Sequence, residues 1–208
     1  YLNKEKSRIL DEPEYLAQLK WLFEQKGKTP ILLMSGGSQG SHFLNEQMQV
    51  ILPELLKNTI VVLQVGENEF FNDSLTLSNF LKTLPQELAR KCILRKFVYE
   101  EYGFLMKAAD LFLGRSGANT VYQVGMNAVR AIFVPIPWVT RNEQYTNAMI
   151  LKEKGYAEII EQNSCTPAKL LEVISQNLKS SDSPRATEPL FPLDADKKLA
   201  QEIGKLAL

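Results

Sequence analysis

Six short, largely apolar stretches recur along this chain about 20–40 residues apart: Ile31 to Met34, Ile60 to Val65, Cys92 to Val98, which also carries Arg95 and Lys96, Leu111 to Leu113, Ala131 to Val134 and Ala157 to Ile160. Each is too short for a buried helix and is bounded by Gly, Pro or polar turn residues, which suits strands covered on both faces of a parallel sheet. Between them apolar residues fall at helical spacing, as with Tyr15, Leu16, Leu19, Leu22 and Phe23, or Phe43, Leu44, Met48 and Ile51. Strands joined by helices at this interval make repeated βαβ units. The expected fold is therefore α/β, an open, mostly parallel six-stranded sheet with helices on both faces.

Punctuation refines the pattern. Gly27 stops the first helix, Pro53 is expected to end the second, and residues 67 to 91 read as an irregular helical stretch divided at Pro85. Helices are expected from Tyr102 to Ala109, from Ala118 to about Ala128 and from Gln144 to Lys154, the last stopped by Gly155. Pro135 and Pro137 cannot continue the fifth strand's ladder. Thr166 is placed as an N-cap with Pro167 in the first helical position. From Ser180 to Pro192 the composition turns to Ser, Asp, Pro, Thr and Glu, a linker, and Asp194 to Leu206 reads as a final helix with Leu199, Ile203 and Leu206 on one face.

A chain of 208 residues fits one domain with appendages. Twenty-four basic side chains balance 24 acidic ones, so no global charge argues for nucleic acid. Cys92 and Cys165 lack metal-type spacing and read as two reduced thiols. No run approaches the roughly 18 apolar residues of a membrane span. The opening residues do not read as a signal peptide, and the chain starts at Tyr1 rather than Met, as expected of a fragment or a processed product.

The chemistry concentrates in the loops that leave the carboxyl ends of the strands, where open α/β sheets bind ligands. Leu111 to Leu113, then Arg115-Ser116-Gly117, then a helix from Ala118 reads as strand, tight turn and helix N-terminus. Unpaired N–H groups and a partial positive charge at such a terminus make an anion site, to which Ser116, Gly117 and Thr120 admit a phosphate. Helix capping is the competing role for Ser116 and Thr120. Ser35-Gly36-Gly37-Ser38-Gln39-Gly40-Ser41 forms a second strand, Gly-rich turn and helix unit. It is neither a Walker loop nor a dinucleotide fingerprint, and its glycines could serve only to make a tight turn. The Val98 region and the loop from Pro137 to Gln144 leave from the same edge.

Four motifs in register, Ser35 to Ser41, Ala109-Asp110 with Arg115 to Val121, Ile132 to Pro137, and Glu143-Gln144 with Asn147-Ala148, resemble the C-terminal half of the MurG family. These are bacterial transferases that add N-acetylglucosamine to lipid-linked muramyl-pentapeptide in peptidoglycan synthesis. The similarity runs from about Pro30 to Glu161. It implies a Rossmann-like domain, one half of a two-domain inverting glycosyltransferase, that binds the donor UDP-N-acetylglucosamine. In that arrangement Gly37, Ser38 and Gln39, with Arg115, Ser116, Gly117, Ala118, Asn119 and Thr120, face the diphosphate. Backbone at Val98 meets the uracil, and Glu143 and Gln144 read the sugar hydroxyls. Asn45 and Asn147 serve either the sugar or structural hydrogen bonding.

The family pattern also divides the chain: residues 1–29 as a helix and linker from a missing acceptor domain, 30–180 as the nucleotide-sugar domain, and 181–208 as linker and C-terminal helix. The partners implied are the donor, an acceptor domain upstream or in a separate subunit, and the lipid-linked acceptor at the cytoplasmic face of the inner membrane. No tightly bound metal or other cofactor is expected. Three departures stand out: Gln123 replaces the family's glutamate, which accepts the ribose hydroxyls, Ala128-Val129-Arg130 replaces a Gly-x-Pro, and Arg141-Asn142-Glu143 replaces the usual acidic residue near the second loop. The lone histidine, His42, reads as a first-turn residue without catalytic duty, no catalytic residue is assigned, and donor binding without turnover is expected. A degenerate interaction module without turnover, the donor domain of another lipid glycosyltransferase and a nucleotide-sugar epimerase are the competing readings.

Overall fold

The computed structural model describes residues 12–68, 70–179, 189–191 and 194–206. Six strands, β1 (Ile31–Ser35), β2 (Ile60–Gln64), β3 (Cys92–Arg95), β4 (Leu111–Gly114), β5 (Arg130–Phe133) and β6 (Ala157–Ile159), form one sheet in the order β3-β2-β1-β4-β5-β6. Every pairing is parallel. The helices are α1 (Pro13–Gln25), α2 (His42–Leu55), α3 (Asp73–Thr83), α4 (Gln86–Ala89), α5 (Tyr102–Ala108), α6 (Ala118–Met126), α7 (Glu143–Lys152), α8 (Pro167–Lys179) and α9 (Ala195–Leu206). This is the expected Rossmann-like sheet, with no antiparallel strand among the described residues.

Alternation along the strands builds two core layers. Leu32, Met34, Val61 and Leu63 point to the layer completed by Leu44 and Met48 of α2, Leu77 of α3, and Leu170 and Ile174 of α8. Ile31, Leu33, Ile60 and Val62 point to the opposite layer, closed by Tyr15 and Leu22 of α1, Leu105 of α5, Val121 and Val124 of α6, and Leu151 of α7. Chain order thus sends the helix after β1 to one face and the helix after β4 to the other. The strand order reverses between β1 and β4, and a crevice opens at their carboxyl ends.

Several boundaries differ from expectation. Pro53 lies inside α2, which continues to Leu55. A proline near the end of a helix leaves only one upstream carbonyl without its usual partner, so the last turn survives. β3 stops at Arg95 rather than Val98. It is an edge strand paired only to β2, and beyond the last bonds, from Val65 N to Arg95 O and Gly66 N to Lys96 O, its neighbour turns away. The helix expected from Gln144 starts at Glu143, preceded by a 3₁₀ turn over Thr140–Asn142. Thr166 does cap α8, accepting from Lys169 N at 3.3 Å.

Most of the expected linker from Ser180 to Pro192 lies outside the described residues, as does the side chain of Leu206. Residues 189–191 cross α6: Leu190 N donates to Gly125 O at 2.9 Å, and the Phe191 ring stacks on Tyr122. A Cβ on Gly125 would lie 2.3 Å from the Phe191 ring, so only glycine admits this crossing. On α9, Leu199 and Ile203 are exposed.

Ala128 follows α6 with φ +53°, in the left-handed region, while Val129 N reaches back to Val124 O at 3.2 Å to close the helix end. That conformation costs an L-residue roughly 1–2 kcal/mol. Ala128→Gly is expected to raise the unfolding free energy by up to about 1 kcal/mol, since loss of a buried methyl offsets part of the gain. The urea midpoint checks it. Arg130 starts β5 at the opposite end of the sheet from the crevice and donates to Asn177 of α8, whose Nδ2 in turn donates to Glu158 at 2.7 Å. Its departure from the family pattern therefore bears on the fold.

Candidate functional site

The loop after β1 is held by its own polar atoms. Ser35 Oγ donates to Gln64 Oε1 at 2.5 Å and accepts from Gly37 N at 3.3 Å, while Gln64 Nε2 donates to Gly37 O at 3.3 Å. Gly36 N donates to Gln64 O, and Glu67 N to Ser38 O. Gly40 and Gly66, both at φ near +70°, press backbone to backbone: a Cβ on Gly40 would lie 2.0 Å from Val65 O, and one on Gly66 2.1 Å from Gly40 N. The Gly-rich loop is thereby fixed against the end of β2 with Ser38 and Gln39 exposed. Gln64 was not among the residues expected here. Its signal was a polar side chain at the end of an apolar run, and it is buried.

Across the crevice the chain leaves β4 at Gly114, whose missing Cβ lets Ser35 O approach; a methyl there would be 2.6 Å from that oxygen. Gly117 is the N-cap of α6, and no side chain caps the helix. The first-turn N–H groups of Ala118, Asn119 and Thr120 therefore keep their hydrogen-bonding capacity and the positive end of the helix dipole. Capping is not what Ser116 does: its residue is fully buried and its Oγ has no hydrogen-bond partner among the described residues.

Arg115 bridges the two loops. Its Nε donates to Ser41 Oγ at 3.1 Å, Nη1 to Val134 O at 2.7 Å and Nη2 to Gln162 Oε1 at 2.7 Å. Ser41 is also the N-cap of α2. Burial pushes the Arg115 guanidinium down to about 10, and three oxygen acceptors compensate that desolvation. Each of its three nitrogens thus makes a bond within the fold. Cys165, near this arginine, and Cys92 are free and buried, and burial raises both thiols, to about 11 and about 12.

The remaining expected residues divide between crevice and framework. Asn147 Nδ2 donates to Ser116 O at 3.3 Å, and Gln144 Oε1 accepts from Ile136 N at 3.1 Å, so the first turns of α7 brace the loops beside α6. Glu143 is exposed at the start of α7, and Gln123 is exposed one turn beyond Thr120 on α6. Val98 lies on the same sheet edge after β3, its side chain partly buried against the layer containing α1. Asn45 is buried on α2, donating to Val65 O at 3.2 Å and Asp73 Oδ2 at 2.6 Å, which matches the structural alternative for this residue.

Asp73 also takes His42 Nδ1 at 2.7 Å, and Phe71 stacks on the imidazole at 3.6 Å. This pairing joins α2 to the start of α3 on the side of the Gly-rich loop away from α6. Among the described residues, no grouping of three His, Cys, Asp or Glu side chains suits a metal ion, and no helix is long and apolar enough to cross a membrane.

Two kinds of likeness accompany this geometry. A transferase of Campylobacter jejuni subsp. doylei, UDP-N-acetylglucosamine–N-acetylmuramyl-(pentapeptide) pyrophosphoryl-undecaprenol N-acetylglucosamine transferase, is 32% identical over 139 residues, covering 64% of this chain and 36% of its own length. The enzyme of the same description from Exiguobacterium sibiricum is 28% identical over 188 residues, 90% of this chain and 49% of its own length. The chain therefore spans half or less of these relatives. Among solved structures, MurG of Acinetobacter baumannii superposes with a TM-score of 0.69 at 24% identity, covering 87% of this chain and 53% of that one. A putative UDP-N-acetylglucosamine 2-epimerase from Listeria monocytogenes shares the fold, with a TM-score of 0.60 at 14% identity over 88% of this chain and 46% of that one. Residues 31–203 match the model of the glycosyltransferase family 28 C-terminal domain, and the chain belongs to that family as a MurG-like C-terminal domain.

Proposed function

We propose that this domain holds the UDP-N-acetylglucosamine donor of an inverting N-acetylglucosaminyl transfer to a lipid-linked muramyl-pentapeptide. The observation that carries the reading is the uncapped N-terminus of α6 facing a rigid Gly-rich loop across the strand-order switch. There the N–H groups of Ala118, Asn119 and Thr120, with the hydroxyls of Thr120 and Ser38, bind the diphosphate, Gln39 lies beside it, and the buried Ser116 backs the turn that presents them. The same groups stabilise negative charge as it develops on departing UDP, so the site serves the transition state as well as the ground state.

Backbone at Val98 meets the uracil, and Glu143 and Gln144 read the sugar. Arg115, Asn45 and Asn147 act by holding the loops. Gln123 meets the ribose as an uncharged amide, which weakens that contact by about 1–2 kcal/mol relative to a carboxylate. Activation of the acceptor hydroxyl requires a positioned base from the acceptor half, in the same protein or in a partner, working at the cytoplasmic membrane face. The donor and acceptor in the relatives' names support this assignment.

Ser38→Ala and Thr120→Ala test it. A ligand at a hundred times its Kd stabilises the unaltered protein by about 2.7 kcal/mol. For a protein of this size that raises the melting temperature by several degrees, roughly 2–4 °C per kcal/mol. Each substitution is expected to reduce the UDP-induced shift by more than half while leaving the ligand-free melting temperature within about 2 °C. An undiminished shift in both variants favours an interaction module that does not use this crevice.

A further inference from the structure

A buried polar cluster ties α1 to the loop after β3. Tyr15 OH donates to Glu101 Oε1 at 2.9 Å across 86 residues of sequence, and Glu101 Oε2 accepts from Tyr99 N at 3.1 Å. Tyr15 and Glu101 are each 3% exposed. Arg95, at the end of β3, lies 3.9 Å over the Tyr15 ring and donates to both carboxylate oxygens of Glu12, at 2.6 and 2.9 Å. One face of Tyr15 is thus covered by a paired cation, and among the described residues its hydroxyl donates to Glu101 alone.

Hydrophobic burial alone does not explain this arrangement. α1 already packs through Leu19 and Leu22, and a phenylalanine in place of Tyr15 would bury the same ring without a carboxylate beneath it. What the polar contacts add is direction. Glu101 is the N-cap residue of α5, yet its side chain makes no capping bond and instead reaches back to the backbone of Tyr99. One carboxylate oxygen shapes residues 98–101, and the other is held by a residue of α1. Burial, and the nearby Glu101 charge, raise the Tyr15 phenol far beyond its ordinary range, so the hydroxyl keeps its proton and remains the donor.

We propose that Tyr15, braced by Arg95 and Glu12, positions the Val98–Tyr99 backbone through Glu101, so that α1 sets the site's affinity for the nucleotide base and not for the diphosphate. This rests on the donor-site reading, in which that backbone meets uracil. Tyr15 and Glu101 are positioning residues: they touch the loop, and the loop touches the base. Loss of the Tyr15 bond to Glu101, and not looser packing of α1 as such, weakens base recognition.

Tyr15→Phe removes the single donor and keeps the ring; Leu19→Ala weakens α1 packing without touching Glu101. Two readouts apply to the full chain: amide hydrogen exchange at Val98 and Tyr99 without ligand, and calorimetric affinities for UDP and for inorganic pyrophosphate. Tyr15→Phe is expected to speed Tyr99 amide exchange at least tenfold and to weaken UDP about five- to tenfold, with pyrophosphate binding unchanged. Glu101→Gln, whose amide cannot accept on both sides, is expected to do the same. Leu19→Ala, compared at temperatures where it is fully folded, is expected to leave the UDP to pyrophosphate ratio unaltered. Equal weakening of UDP and pyrophosphate, or unchanged Tyr99 exchange in Tyr15→Phe, overturns the proposal. Failure of the unaltered protein to bind UDP contradicts the donor-site reading instead, and in that case Tyr99 exchange alone decides whether α1 positions the loop.

Discussion

Replacing Gly40 with alanine is expected to destabilise the protein by about 3 kcal/mol or more, a large share of the roughly 5–15 kcal/mol that holds a domain together. Two costs combine. Gly40 has φ +73°, and its new Cβ would lie 2.0 Å from Val65 O and 3.3 Å from the Gly66 Cα. Both neighbours are backbone of the β2 end, already bonded to β3 through Val65 N and Gly66 N, so neither can yield as a side chain could. The loop must lift, which breaks the Glu67 N to Ser38 O bond and moves Ser38 and Gln39 off the crevice. Gly37→Ala is the control. Its φ is +78° but nothing lies within 4 Å of the added methyl, so only the left-handed backbone cost of roughly 1–2 kcal/mol applies. Urea denaturation of both variants separates the two effects, and a Gly40→Ala loss no larger than that of Gly37→Ala contradicts the interlocked loops described above.

Gly117→Asp is expected to move stability and binding in opposite directions. Gly117 occupies the N-cap of α6 at φ −60° and ψ 152°, a conformation open to any residue, and nothing lies within 4 Å of a Cβ there. An aspartate can accept from the unpaired first-turn N–H groups and places negative charge at the positive end of the helix. The ligand-free protein should gain about 0.5–1 kcal/mol. The same carboxylate occupies the donors that the diphosphate needs and repels it, so UDP affinity should fall at least about a hundredfold, about 2.7 kcal/mol. Thermal melting with and without UDP reads both. A more stable variant that still binds UDP normally places the ligand elsewhere; a less stable variant shows that the α6 N-terminus is not free in the way described.

Physical features with a local signature were legible in the sequence. The continuous runs of β1, β2, β4 and β5 have no period, because both faces are covered, and that absence of alternation identified a parallel sheet. Thr166-Pro167 marked the start of α8 by chemistry local to the terminus. Side-chain direction was not legible, because it depends on partners far away in sequence. The resemblance puts Arg115 at the diphosphate, while Gln162, 47 residues on, and Val134 bond it within the fold. Asn45 looks toward Asp73, 28 residues away, and Tyr15 finds Glu101 only once α1 has docked. Gln64 signalled itself only as an interruption in an apolar strand, and what it latches, the backbone of Gly37, needs the loop already folded. The order of the strands, and hence the crevice between β1 and β4, likewise emerges only from the parallel pairing of β1 with β4, from Leu32 with Leu111 to Ser35 with Gly114.

The central claim is that the facing loops of β1 and β4 hold a nucleoside diphosphate. Its most direct test is calorimetric titration of UDP into the 208-residue chain, with inorganic pyrophosphate as competitor. Saturable heat with one site per chain, diminished by pyrophosphate, is the predicted result. No heat at millimolar UDP, while a known UDP-binding protein under the same conditions gives its usual signal, would contradict the account.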